Sequence, residues 1–258
     1  MMKHIKTLRH ELLFFVREHK LLLLCTVLIL IFLSVSFPIP NVRTVENEQR
    51  VVSIADYFLL LKQPLFFYLA NIFVSVFLLF RMIKNHFKIN YLLRQQNVGV
   101  LYTRQCLAAG CLAFCVSLMQ SIVTLGVAAL HTPVLINFSQ INSAFYFYTD
   151  AQTSGISFFG VLAVTFLFGF VCIYMFLLLY IALRWLTGRD FVCFIIILLV
   201  GLLDSYGNFG AVSCFGASYG DFVPSYHYLS LFGLAAACAA VYCAGKACLK
   251  FKEFLHEK

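Results

Sequence analysis

The string Gly216-Ala217-Ser218-Tyr219-Gly220 fits the G-x-S-x-G pattern of a nucleophile elbow, and Asp221 and His227 follow it with the other residue types of a serine hydrolase. That chemistry needs a strand, a sharp turn and a helix to expose the serine, with the acid and base much farther along the chain. Here the string lies among turn formers between two apolar segments, which speaks against hydrolysis. Cys106, Cys111 and Cys115 lack the paired C-x-x-C spacing of a structural zinc site, and no histidine joins them. The chain has no G-x-x-x-x-G-K-[ST] loop, so it cannot by itself use ATP in the P-loop manner, and no H-E-x-x-H of a zinc metalloprotease. Asp204 is the one acid close to the interior of an apolar segment. Ionisable groups at membrane depth are costly and often functional, which would suit ion coupling. Its neighbours Ser205, Tyr206, Gly207 and Asn208 suit an interfacial position instead.

These residues are embedded in a chain that is 62% hydrophobic and only 12% charged, far from the composition of soluble domains. Six apolar segments stand out, at about 21–37, 65–80, 106–130, 156–183, 191–203 and 228–245. Each is dense in Leu, Ile, Val, Phe and Ala. In lipid every backbone polar group must be satisfied within the element, so helices are expected, and the alternating pattern of a membrane β-barrel is absent. The predicted fold class is an all-α polytopic membrane protein with six transmembrane helices and an N-terminal interfacial amphipathic helix. Residues 1–20 form that leader, 21–249 a single transmembrane domain, and 250–258 a tail.

Charge sets the orientation. Residues 1–20 carry five Lys/Arg, 81–105 five, 184–190 two and 246–258 four. The remaining three, Arg43, Arg50 and Lys62, share the first outer loop with Glu46, Glu48 and Asp56. Cytoplasmic loops retain Lys and Arg, so both termini are expected in the cytoplasm of a cell-membrane protein. The net charge of +8 is spread over membrane-flanking stretches and is not interleaved with aromatics on a soluble domain, so lipid headgroups are expected and nucleic acid is not. A secretory signal would also begin with a basic stretch, but the first apolar segment starts twenty residues in and has no clean small-x-small cleavage site before Pro38. Nine of the ten cysteines lie in or beside spans and behave there as small apolar side chains; only Cys214 falls in an outer loop. Asn137-Phe138-Ser139 is a formal glycosylation acceptor on the outer side, meaningful only in a eukaryote.

Three connecting stretches carry further information. Ile5, Leu8, Leu12, Phe15 and Val16 recur at helical spacing among basic residues, as in a helix lying in the headgroup layer, although a simple topogenic basic tail has the same charge. Residues 81–105 contain no acid. Ile89, Leu92 and Leu93 precede Arg94, Gln95, Gln96 and Asn97, then Gly99 is expected to break the run before Tyr102 and Arg104, giving a short helix, a turn and re-entry into the membrane. This stretch is either a solvated positive loop or a docking element for a cytoplasmic partner. Residues 204–227 are rich in Gly and aromatics and hold no basic residue. They suit a partly re-entrant outer element, since irregular backbone near the bilayer is tolerated where it packs on protein; a plain outer loop fits equally.

In this arrangement the chain resembles the type 2 (ABC-2) permease subunits of ABC transporters, in their small bacterial six-span form. The likeness is architectural and covers nearly the whole length: the amphipathic leader, the cytoplasmic loop between spans two and three, the short turn at 184–190 and the non-spanning segment between spans five and six. It implies a coupling helix within 89–104 that contacts a cytoplasmic ATPase subunit, with Arg94, Gln95, Gln96, Asn97, Tyr102 and Arg104 as partner-binding residues. It also implies a re-entrant cap around Asp204, Gly216, Gly220 and Pro224. The family's loop often has an early acid and a Pro/Ser-Arg element; this chain keeps an arginine, as Thr103-Arg104, and has neither the acid nor the proline. The further implications are a homodimer or heterodimer, ATP-Mg on the partner and no cofactor or catalytic residue in this chain. The expected activity is export of a peptide-like or amphipathic substrate, as in bacteriocin secretion or self-immunity. The competing expectation is a stand-alone membrane protein: a secondary carrier, an immunity protein or a membrane enzyme. Against the carrier, no internal repeat or matched pair of broken spans is visible.

Overall fold

A computed structural model of the chain describes residues 15–36, 38–60, 71–87, 98–207, 219–222 and 227–256. Among them the structure is helical, and the one β feature is an isolated parallel bridge between Val51 and Ser143. The helices are α1 (Lys20–Ser36), α2 (Pro38–Asn47), α3 (Ile54–Leu60), α4 (Val74–Ile83), α5 (Val98–His131), α6 (Ala144–Thr149), α7 (Phe158–Thr187), α8 (Asp190–Gly207) and α9 (His227–His256). Short 3-10 turns occur at Lys84–Phe87 and Tyr219–Phe222.

Three helical stretches are long and apolar enough to cross a membrane: Val98–His131, Phe158–Thr187 and Leu231–Leu249. Two shorter apolar ones, Lys20–Phe32 and Asp190–Leu203, accompany them. The chain is therefore a helical membrane protein. Residues 65–70 of the expected second span, together with Arg94, Gln95, Gln96, Asn97, Gly216 and Pro224, lie outside the described residues, as do residues 1–14 of the leader. For Asp204 and Gly220 only the backbone is described: Asp204 is in the last turns of α8, and Gly220 is in a 3-10 turn.

Two boundaries differ from the sequence expectation. The third span was expected from 106, after a break at Gly99, but α5 is already helical at Val98 and Gly99 sits in its first turn. Glycine inside a helix costs only about 1 kcal/mol relative to alanine, and burial of Leu101, Tyr102 and Gln105 outweighs it. The tail expected from 250 has no backbone boundary, because α9 continues from the apolar span to His256. The connection after α1, expected as a loop, also holds structure, since α2 and α3 occupy it.

Local chemistry fixes the helix ends. Ser157 caps α7, its hydroxyl accepting from the Gly160 amide at 3.1 Å, and Ser143 caps α6 by accepting from Tyr146 at 3.1 Å. Gly188 ends α7 in the left-handed region at φ +70°, and its amide donates to the Arg184 carbonyl at 3.0 Å. Where helices touch, small residues let them approach. Ser117 Oγ donates to the Phe166 carbonyl at 3.2 Å and lies 3.1 Å from where a Cβ on Gly169 would stand. Gly245 on α9 is tighter still: a Cβ there would lie 2.8 Å from Tyr102 Cζ and 3.2 Å from Ala182 Cβ. This is the packing mode of helices in lipid, where close van der Waals contact replaces the hydrophobic drive.

Buried side chains form two clusters. The larger joins Phe15, Ile83, Tyr102, Ile181 and Leu249, next to the basic stretches, and continues into the middle of the bundle through Val116, Cys172 and Cys238. The other joins Val45, Tyr57, Phe138, Phe145, Tyr219 and Phe222, from the stretches next to the other ends. The helices α5 and α7 run antiparallel between the clusters, and α9 packs along α7.

Candidate functional site

At the basic end, three chain segments converge on Trp185 in the last turn of α7. Its indole Nε1 donates to Gln105 Oε1 on α5 at 2.8 Å, and its ring lies 5.1 Å from that of Phe87. The neighbouring Arg184 stacks over Phe87 at 4.9 Å and pairs through Nε with Asp190 Oδ1 at 2.8 Å; its Nη1 also donates to the Gly188 carbonyl. Tyr180 donates its hydroxyl to the same Asp190 oxygen at 2.8 Å. Asp190 opens α8, where a negative charge is favoured by the helix dipole. Thr187 tightens the turn: its hydroxyl donates to the Leu183 carbonyl at 2.9 Å and accepts from the Arg189 amide at 3.3 Å.

Of the expected partner-binding residues, Tyr102 and Arg104 lie in the first two turns of α5. Tyr102 is wholly buried; its ring centroid is 5.7 Å from that of Tyr242 and its hydroxyl donates to the Tyr242 carbonyl at 3.3 Å. The side chain fastens α5 to α9 and presents nothing at the surface. Arg104 is half-buried. Gln105, Trp185, Arg184 and Asp190 were not singled out from the sequence. The available signals were that Trp185 is the only tryptophan and that the 184–190 turn pairs a basic with an acidic residue.

At the opposite end, the stretches 38–60 and 132–157 knit together through the backbone. Val51 donates to Asn142 O at 2.7 Å and accepts from Ala144 N at 3.1 Å, while Ile54 donates to Val134 O at 2.8 Å. Asn137 Nδ2 and Thr132 Oγ1 donate to the carbonyls of Val51 and Val52 at 2.8 and 3.0 Å. Inside this cap sits Asp56, fully buried. The Ser53 amide and hydroxyl both donate to its Oδ2 at 2.7 Å. Burial raises its pKa to about 6, against the opposing effect of the Ser53 hydrogen bonds and of the Tyr219 hydroxyl. Neither Asp56 Oδ1 nor the Tyr219 hydroxyl completes a hydrogen bond of good geometry.

Tyr219 itself is stacked on Tyr148 at 4.8 Å and packed edge-on to Phe145 at 6.0 Å. Burial first, then the Asp56 charge, drives its phenol well above its ordinary range. This tyrosine belongs to the G-x-S-x-G string, and its place in the cap is that of a buried anchor. On another side His131, the last residue of α5, stacks on Tyr57 at 6.0 Å. The burial of Asp56 was not legible from its position beside Arg43 and Arg50, which suggested a solvated loop acid.

Among the described residues, no group of three or more His, Cys, Asp or Glu is arranged to hold a metal ion. Compared with known proteins, the chain matches no family model, no curated protein and no solved structure. Its class therefore rests on its own geometry: a helical membrane protein with a braced basic end and, at the other end, a buried aromatic cap.

Proposed function

We propose that this chain is the permease subunit of an ATP-driven exporter in a bacterial cell membrane. It crosses the bilayer six times with both termini in the cytoplasm and pairs with itself or a related permease. A separate cytoplasmic ATPase carrying ATP-Mg docks on the loop between spans two and three, and the pair moves a peptide-like or amphipathic substrate outward. One observation carries the reading: Phe15, Ile83, Tyr102, Ile181 and Leu249, from the described edges of the Lys- and Arg-rich stretches, belong to one buried cluster, and both flanks of the 88–97 loop meet Trp185 in the last turn of α7. An acid-free loop held in that way offers a motor both a charged surface and a mechanical connection to the spans. The buried aromatic cap at the opposite end supports the same reading, since an export path needs a closure on the far side.

Purification of the solubilised chain from its native membrane tests the proposal. Recovery of a stoichiometric P-loop ATPase, lost when Arg94 and Arg104 are changed to Glu, is the expected result. Repeated absence of an ATPase, with unaltered function in that double variant, returns the stand-alone membrane protein as the better reading.

A further inference from the structure

The segment 88–97 enters from Phe87 and leaves into Val98 at the head of α5, and residues on both sides of it meet the same side chain. Phe87 packs on Trp185 from before the segment. Gln105, two turns into α5, accepts from Trp185 after it. Gln105 is wholly buried and its Nε2 has no partner, so its amide is held there through its oxygen. The adjacent Arg184 contacts Phe87 on one side and Asp190 on the other, which ties the same point to the first residue of α8. The turn beyond is short and its geometry is fixed by Gly188 at positive φ.

We propose that Trp185 is a relay: a positioning residue through which a displacement of the loop between spans two and three is passed to the α7–α8 turn. The proposal deepens the permease reading and rests on it for its biological meaning, while its physical content, an energetic coupling between two cytoplasmic connections, stands on contacts alone. Three chain segments share one indole and its neighbouring guanidinium. A shift of Phe87 or Gln105 therefore changes the surroundings of Trp185 and Arg184, and Asp190 loses its ion-pair partner when Arg184 moves, keeping only the Tyr180 hydroxyl. Two sites are coupled when a shared element has different arrangements that both sites bias.

The test uses the full chain in lipid nanodiscs, with amide hydrogen exchange read at residues 188–193 and the emission of the single tryptophan read in parallel. Gln105→Leu and Phe87→Leu each alter the loop side alone. Each is expected to speed exchange at 188–193 by about tenfold, the equivalent of one lost hydrogen bond, and to shift the tryptophan emission. Trp185→Phe keeps a ring but has no N–H; it is expected to speed the same amides, and adding Gln105→Leu to it should have no further effect. Exchange at 144–149, at the other end of the bundle, should stay unchanged and reports that the fold is intact. Should Gln105→Leu fail to fold, Phe87→Leu asks the same question from the other flank. Unchanged exchange at 188–193 in the loop variants, or effects of Gln105→Leu and Trp185→Phe that simply add, overturns the relay. Recovery of an ATPase is scored separately, so coupling without an ATPase would retain the relay and reject the permease.

Discussion

Replacing Asp56 by Asn should remove a pH dependence that the wild-type cap carries. In the closed cap the carboxyl has a pKa of about 6, raised from 3.8 chiefly by burial. The closed cap therefore binds the proton more tightly than an opened one, and the contribution is largest below 3.8 and is lost as pH rises through 6. The full shift corresponds to about 3 kcal/mol. Within an accessible window the effect is smaller: going from pH 8 to pH 5 should stabilise closure by about 1.4 kcal/mol, roughly tenfold in the opening equilibrium. The assay is hydrogen exchange of residues 144–149 and 219–222 in nanodiscs at several pH values, corrected for intrinsic exchange. The informative quantity is the difference between wild type and Asp56→Asn, which isolates this one carboxyl. Protection in the wild type should rise on acidification by more than it does in the Asn variant, which lacks the titrating carboxyl. A wild-type cap that loosens on acidification relative to the variant, or equal slopes in the two proteins, would refute the assignment of a desolvated carboxylate.

Other expectations follow from packing and caps. Gly245→Ala places a methyl against Tyr102 and Ala182, and should destabilise the α5–α7–α9 contact by about 1–3 kcal/mol, read as a lower melting temperature in detergent. Gly188→Ala keeps an open environment but forces φ +70° on a residue with a Cβ; about 1 kcal/mol of destabilisation is expected from thermal unfolding, whereas Gly155→Ala, also in open space and without that backbone, should cost less. Ser143→Ala removes the cap on Tyr146 and the 2.6 Å bond to the Gln140 carbonyl, and should speed exchange at 144–149 by about fivefold or more.

The architecture was legible where a single residue property decides it. Long runs of Leu, Phe, Val and Ala require helices whatever their neighbours are, so α5, α7 and α9 lie where the apolar pattern places them. Sorting of Lys and Arg separated the two ends. What sequence could not convey was pairing across distance. Asp56 and Tyr219 are far apart in the chain, and their burial together depends on three separate connecting stretches folding onto each other. Gln105 and Trp185 are ordinary members of span ends until α5 and α7 bring them within 2.8 Å. Gly99 misled because a lone glycine near a helix start is a weak breaker when the following turn is buried. The site residues proposed at 94–97, 216 and 224 fall outside the described residues, and the resemblance alone speaks for them.

The length of α5 has a consequence of its own. Its 34 residues contain no proline and, at 1.5 Å each, extend roughly 50 Å, well beyond the hydrocarbon thickness of about 30 Å. Its first two turns carry Tyr102 and Gln105, and its far end delivers His131 to Tyr57 and Thr132 to the Val52 carbonyl beside Asp56. The braced end and the capped end are thus terminals of one continuous strut. A tilt of a few degrees, pivoting near its middle, would carry the two terminals in opposite directions by an ångström or more, enough to break a hydrogen bond at either.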